Sequence, residues 1–376
     1  MIETDVSLGT GLKATCSRES LATTLSLVTR AVSTRATVQI LSGVLLQAET
    51  EQLALSATDM EISLRSHLAA NVSASGATVV PGRILLDAVR AFAGTGEVSL
   101  EQHVSEGTLE LRCGNATYHL HTFSAEDFPR LPEIGDELRL AVPREALLGT
   151  IARVARAASR DESRPVLTGI LVRLEAGRLI MAATDSYRLA VKERELEERL
   201  PELEAIVPAR ALAELARFAE GKTVDLALRE NYIAFASGDA LLTSRRIDGQ
   251  FPNYKQLLPE SFEYVVRLPR SEFGEVVRRV GVMAQRNTPL RLSFAEGEVA
   301  VSARTQDVGE ARETLPVAFS GEPFEIGFNA EFLRDGIDSV SGDEVELKLI
   351  TPLRPGLLSS EGDAFWYLIM PIRLAG

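Results

Sequence analysis

Apolar residues recur at the helical period in three places along the chain. The string TCSRESLATTLSLVTRAVS from Thr15 aligns Leu21, Leu25, Val28 and Val32. VPREALLGTIARVARAAS from Val142 aligns Leu147, Ile151, Val154 and Ala158, and LPRSEFGEVVRRVGVMAQ from Leu268 aligns Phe273, Val277, Val280 and Ala284. Each set stands at i, i+4, i+7 and i+11, one stripe of an amphipathic helix. Corresponding members of the three sets are 126 residues apart.

A second helix recurs with the same order of elements. VVPGRILLDAVRAFAGTGEVSLEQ begins at Val79, IVPARALAELARFAEGKTVDLALR at Ile206 and IGFNAEFLRDGIDSVSGDEVELKL at Ile326. In each, an apolar strand runs into a short helix, a glycine-containing turn ends it, and an alternating strand resumes. A third landmark is Thr or Gln followed by Asp at a strand end, in SATDMEISL, AATDSYRLA and, more loosely, SARTQDVGEA; Phe128-Pro129 and Phe251-Pro252 are a further shared pair. Asp59 and Asp185 fall at one repeat position, where a carboxylate is expected to serve a structural turn.

Landmarks that keep register three times predict three tandem copies of one α+β unit. Each copy has two helices backed by antiparallel sheet, with roughly eight short strands. The turn-rich stretches after the Phe-Pro segments set the repeats at 1–132, 133–261 and 262–376. The length of 376 residues also calls for more than one core. No apolar run reaches the roughly 18 residues of a membrane span, and MIETDVSLGTG lacks the basic start and apolar stretch of a secretory signal. Two cysteines, Cys16 and Cys113, make no disulfide framework, so a reducing cytoplasm is expected.

The formal net charge of -13 argues against a tight grip on nucleic acid until its distribution is considered. Arginine collects on the repeated helices: Arg30 and Arg35, Arg83 and Arg90, Arg153, Arg156 and Arg160, Arg210 and Arg217, Arg279 and Arg286. Arg30 is the equivalent of Arg156, and Arg279 and Arg286 of Arg153 and Arg160. At about 100° per residue, those of the second repeat project away from the apolar stripe. Such a surface suits phosphates without reading bases. The helix over 331–339 is the exception, with more acidic than basic residues.

Catalytic patterns are missing. All four histidines, His67, His103, His119 and His121, lie in the first third, and with the two cysteines they give no zinc spacing. Neither nucleotide-binding glycine loop occurs. Ser186 has no assigned general base. No catalytic residue, metal or cofactor is therefore expected.

The three repeats, together with RPVLTGI, AATDSYRLA, DGQFPNYKQLLP and the C-terminal MPIRL, resemble the bacterial DNA polymerase III β subunit, the sliding clamp family, along nearly the whole chain. Against the family's pattern, residues 1–10 precede the usual start, as an extension or a different initiation site, Ser186 stands where the family often has glycine, and Ile372 where it often has methionine. The resemblance implies the DNA-clamp fold, ring-shaped as a homodimer that encircles duplex DNA and serves as a processivity factor in the cytoplasm. Two helices per repeat over six repeats, at about 10 Å each, would leave a bore of about 28 Å around a duplex of roughly 20 Å. It also implies as partners the clamp loader, the DNA polymerase and repair proteins, held through short clamp-binding peptides, with no membrane.

Matched motif to motif, the peptide pocket takes Leu167, Thr184, Ser186, Tyr187, Arg188, Leu189, Pro252, Leu257, Leu368, Met370, Pro371, Ile372 and Arg373, with Arg188 and Arg373 as donors at its rim. The resemblance further sets Tyr118 and Leu120 against Val282 and Met283 between subunits. The alternatives are a peptide-binding repeat scaffold that encircles no DNA, and a hydrolase built on the Thr-Asp turns.

Overall fold

The computed structural model describes residues 11–33, 38–94, 96–132, 140–284, 288–306 and 308–374. The first repeat contains β1 (Lys13–Ser17), α1 (Arg18–Val28), β2 (Gly43–Glu49), β3 (Gln52–Thr58), β4 (Ile62–Ala69), β5 (Asn71–Ala74), β6 (Gly76–Pro81), α2 (Gly82–Ala91), β7 (Glu97–His103), β8 (Thr108–Cys113) and β9 (Ala116–His121). The second contains β10 (Leu140–Pro143), α3 (Arg144–Val154), α4 (Pro165–Thr168), β11 (Gly169–Glu175), β12 (Arg178–Thr184), β13 (Arg188–Glu195), β14 (Leu203–Pro208), α5 (Ala209–Phe218), β15 (Thr223–Leu228), β16 (Tyr232–Ser237) and β17 (Ala240–Arg245). The third contains β18 (Tyr264–Pro269), α6 (Arg270–Gly281), β19 (Leu290–Ala295), β20 (Glu298–Thr305), β21 (Gly309–Pro316), β22 (Phe324–Phe328), α7 (Ala330–Ser339), β23 (Glu344–Leu349), β24 (Gly356–Ser359) and β25 (Phe365–Ile369).

Both predicted helices of every repeat are present. Leu21, Leu25, Leu147, Ile151, Phe273 and Val277 are buried as the stripe requires. Each first helix is shorter than the stripe. α1 and α3 end at Val28 and Val154, and a single 3-10 turn follows each, over Thr29–Ala31 and Ala155–Ala157. Val32 and Ala158 then donate to Thr29 and Ala155, and the chain leaves in extended geometry. Three-residue hydrogen-bond spacing tightens the last turn and ends the helical register. The fourth stripe member, and Arg160 beyond it, therefore lies outside the helix. Ala284 likewise follows the end of α6.

Strand pairing crosses the repeat boundaries. One eight-stranded sheet runs β10-β15-β16-β17-β4-β3-β2-β6 and a second runs β14-β11-β12-β13-β25-β24-β23-β18. In the first, β17 of the second repeat pairs antiparallel with β4 of the first, Leu242 opposite Leu64. In the other, β25 of the third repeat pairs with β13 of the second, Leu189 opposite Leu368. The remaining sheets, β5-β1-β7-β8-β9 and β21-β20-β19-β22, end on β9 and β21. The chain accordingly gathers into two compact units, Met1–Arg144 with Arg210–Arg246 and Glu145–Ala209 with Ile247–Gly376, and the second repeat is shared between them. The three-repeat sequence pattern does not show this division, because covalent order is not packing order.

The segment leaving each repeat returns to the same strand. Val79 of β6 bridges Phe123, Ile206 of β14 accepts from the Ile247 amide at 2.9 Å, and Gly327 of β22 bridges Ile372. The 247–262 stretch then lies over one face of the second eight-stranded sheet. There Tyr254 joins Leu171, Ala182, Leu189, Val191, Ile206, Leu357 and Leu368 in one apolar cluster, flanked by Phe251, Leu258 and Phe262.

Candidate protein-binding and DNA-facing sites

The two Thr-Asp landmarks fold into the same turn. Thr58 donates its hydroxyl to the Ile62 carbonyl at 2.8 Å, and Asp59 Oδ1 accepts the amides of Glu61 and Ile62. Thr184 does the same to the Arg188 carbonyl at 2.6 Å, and Asp185 Oδ1 accepts the amides of Tyr187 and Arg188. Met60 and Ser186 occupy the left-handed position, at φ 77° and 79°. The structural-turn expectation holds for both aspartates. The third landmark includes Asp307, outside the described residues.

In the second turn the side chains separate by role. Thr184, Arg188 and Leu189 are buried, whereas Ser186 and Tyr187 are exposed, Tyr187 by 62%. The Tyr187 carbonyl accepts from the Met370 amide at 2.8 Å, which ties the turn to the chain's last strand. Met370 is 44% exposed, Leu257 50%, and Pro252 and Arg373 are also exposed. Leu167 and Leu368 are buried. Pro371 and Ile372 are half-buried, with Ile372 held to Gly327. The exposed apolar side chains of Tyr187, Leu257 and Met370 stand two or three residues along the chain from Leu189, Tyr254 and Leu368, which share one buried apolar cluster.

Arg188 differs from its expected place at the rim. Nε donates to Asp185 Oδ2 at 2.9 Å, Nη1 to Asp335 Oδ2 at 2.7 Å and to the Tyr367 hydroxyl at 3.3 Å, and the guanidinium lies 4.1 Å from the Phe332 ring centroid. With its donors committed inward, Arg188 is a structural cation beneath the turn. Burial opposes its charge, but Tyr367, Asp335 and Asp185 together raise its pKa. Asp335, Phe332 and Tyr367 were absent from the sequence reading. The acidic bias of 331–339 marks Asp335, whereas Phe332 and Tyr367 carry no signal in the sequence.

The arginines also divide. Arg153 is ion-paired to Asp363 and lies 5.8 Å from the Phe365 centroid; Arg156 meets Asp338 at 2.9 Å and Asp335 at 3.3 Å. Arg30 pairs with Glu214, Arg210 with Asp59, and Arg279 with Glu275 and Glu313. Arg153 and Arg156 stand off the buried stripe of Leu147, Ile151 and Val154, but not as free cations: carboxylates of the third repeat stand opposite them. Among the described residues, Arg217 has Glu214 at 3.8 Å and Arg90 only the Ser26 hydroxyl at 2.9 Å. Arg83 and Arg160 are exposed, without an ion-pair partner among the described residues. Arg35 and Arg286 lie outside them.

Tyr118 and Leu120 stand on β9, the last strand of its sheet. Tyr118 is 37% exposed, with its ring edge-on to Phe92 at 5.3 Å. Val282 is 77% exposed and Met283 half-buried, just past the end of α6. His119 and His121 are exposed on β9, and no group of metal-ligating side chains occurs among the described residues. No described helix is long and apolar enough to cross a membrane.

A repeated two-helix unit whose sheets join end to end defines the class, a clamp-type tandem-repeat protein. Models of the N-terminal, central and C-terminal domains of the DNA polymerase III beta subunit match residues 12–132, 141–253 and 255–373. The beta sliding clamps of Streptomyces coelicolor and Synechococcus elongatus are each 35% identical, over 97% and 96% of this chain and 100% of theirs. The beta sliding clamp structure from Caulobacter crescentus is similar with a TM-score of 0.92 at 32% identity, over 97% of this chain and 100% of that one. The sliding clamp from Bacillus subtilis gives 0.91 at 25%, with the same coverage. The chain belongs to the DNA polymerase III beta subunit family, the bacterial sliding clamps. It is a processivity subunit of DNA replication that performs no catalysis of its own.

Proposed function

We propose that this clamp closes its ring by pairing β21 of one subunit with β9 of the other. It is a clamp for duplex DNA and for polymerase and other replication proteins, bound through short peptide motifs. Strand equivalence carries the closure. β4 pairs with β17 and β13 with β25; the strands in the same positions that remain are β21 and β9, both sheet edges. Pairing two edges removes the exposed backbone donors and acceptors that make an edge a liability. Val282 supports the same reading. At the repeat spacing it is the equivalent of Arg30 and Arg156, which make ion pairs between repeats within the chain. An exposed apolar residue there suits a contact between chains, with Met283, Tyr118 and Leu120.

The repeats 1–132, 133–261 and 262–376 are the units of this ring, and the protein acts in the cytoplasm. Arg83, Arg90, Arg160 and Arg217, the cations with the least carboxylate pairing, meet phosphates first, while Arg30, Arg153, Arg156, Arg210 and Arg279 contribute field from within ion pairs. The peptide pocket takes Tyr187, Leu257 and Met370 as apolar walls above Leu167, Thr184, Leu189 and Leu368. Ser186, Pro252, Pro371, Ile372 and Arg373 border it. Micromolar peptide affinity, about -8 kcal/mol, would permit exchange of partners.

Retention on DNA tests the ring. Loaded on nicked circular DNA, the protein should stay through a salt wash and leave when the circle is linearised. Charge reversal at Arg83, Arg90, Arg160 and Arg217 should lower the loaded fraction several-fold and leave the dimer intact. Equal retention on circular and linear DNA would remove encirclement.

A further inference from the structure

We propose that Asp335 on α7 is a positioning residue for the peptide pocket: it holds Arg188 and, through it, the Thr184–Arg188 turn. This rests on the pocket proposed above. Asp335 is three-quarters or more buried at its side chain, with 15% exposed, and its two oxygens serve different cations. Oδ2 accepts from Arg188 at 2.7 Å, and Oδ1 faces Arg156 at 3.3 Å. Arg188 passes the constraint to Asp185 at 2.9 Å, and Asp185 fixes the amides of Tyr187 and Arg188. The Tyr187 carbonyl then holds the Met370 amide. A connected set of hydrogen bonds, charge-assisted as far as the Tyr187 amide, thus runs from the third repeat's helix to the backbone of the two exposed residues that flank the pocket.

The enclosure has no easy substitute for this carboxylate. Arg188 is closed in by Phe332 on its face and by Tyr367, whose hydroxyl donates onward to the Phe332 carbonyl at 2.9 Å. Loss of Asp335 leaves the buried guanidinium with Asp185 as its one paired anion, so the side chain shifts toward other acceptors. The turn then loses its tether to α7, and the spacing of Tyr187 from Met370 is no longer fixed. Binding surfaces held by locked side chains lose affinity when that support is removed, even where every contact residue remains.

A matched ion pair separates positioning from general loosening. Asp363 also joins the third repeat to the second, through Arg153 and Lys192, and does not touch Arg188. Binding of a fluorescein-labelled, polymerase-derived peptide with Leu and Phe anchors is followed by anisotropy on the intact dimer. Asp335→Ala should raise Kd tenfold or more and Asp335→Glu should restore most of it. Asp363→Ala should stay within about twofold of the parent, whatever its loss of thermal stability. If Asp335→Ala does not fold, Asp335→Asn, which keeps an acceptor but not the charge, should still raise Kd several-fold. Unchanged affinity in the folded Asp335 variants, or an equal loss in Asp363→Ala, overturns the assignment while leaving the pocket in place. A parent protein that ignores the peptide, matched by a Met370–Gly376 deletion that changes nothing, removes the pocket itself.

Discussion

Side chains of one chemical type serve opposite ends in this chain. Arg83 and Arg160 have no ion pair among the described residues, whereas Arg153, Arg156 and Arg188 are held by carboxylates brought from the third repeat. Asp363 is the clearest of those anions. Burial disfavours its charge, but donors from Lys192, Ser341 and Arg153 outweigh that and hold the carboxyl at about 2. Its folded pKa is below the ordinary aspartate value of about 3.9. The resulting stability is therefore present above that value and lost as pH falls through about 2. Asp363→Asn should lower the thermal midpoint at pH 7 and flatten its dependence between about pH 5 and pH 2. An unchanged acid profile by calorimetry would show that the pair contributes nothing.

Among the elements, α6 and α7 show how packing and helix preference compete at glycine. A Cβ on Gly336 would come within 2.5 Å of Leu358 Cδ1 and 2.6 Å of the Tyr367 ring, so α7 can lie this close to β24 and β25 only without a side chain there. Gly336→Ala should cost about 1–3 kcal/mol through forced repacking. A Cβ on Gly274 of α6 meets nothing nearer than Ile337 Cγ2 at 3.4 Å. Gly274→Ala should stabilise by about 0.5–1 kcal/mol, since alanine is the better helix former. Urea denaturation that gives both changes the same sign would refute this account. The helices were legible because their apolar period is strong, and the Thr-Asp turns because their hydrogen bonds are local. The early end of the first helices was not, since alanine and valine continue the stripe equally well in a helix or in the 3-10 turn that follows.

For the whole molecule, the relevant surfaces are the two sheet edges, β9 and β21. Charged replacements at Val282 and Met283 should place unpaired charge in an apolar contact between chains and shift the protein from dimer to monomer. Sedimentation velocity at micromolar concentration should show one species of about half the mass, with circular dichroism unchanged. A persistent dimer would move these two residues out of the interface. Because β4–β17 and β13–β25 join strands within one chain, the same substitutions should leave the eight-stranded sheets intact.

The sequence by itself determined the three repeats, both helices of each, the Thr-Asp turns and the family, because all of these rest on periodicity and on residues close together in the chain. Tertiary structure alone decided which charges would meet. Arg188 reads as an exposed rim donor while its neighbours are only Tyr187 and Leu189. It becomes a buried cation once β13 pairs with β25 and α7 brings Asp335, 147 residues away, to its guanidinium. Arg153 and Arg156 change meaning for the same reason: their partners Asp363, Asp335 and Asp338 belong to another repeat, and electrostatic pairing depends on distance in space.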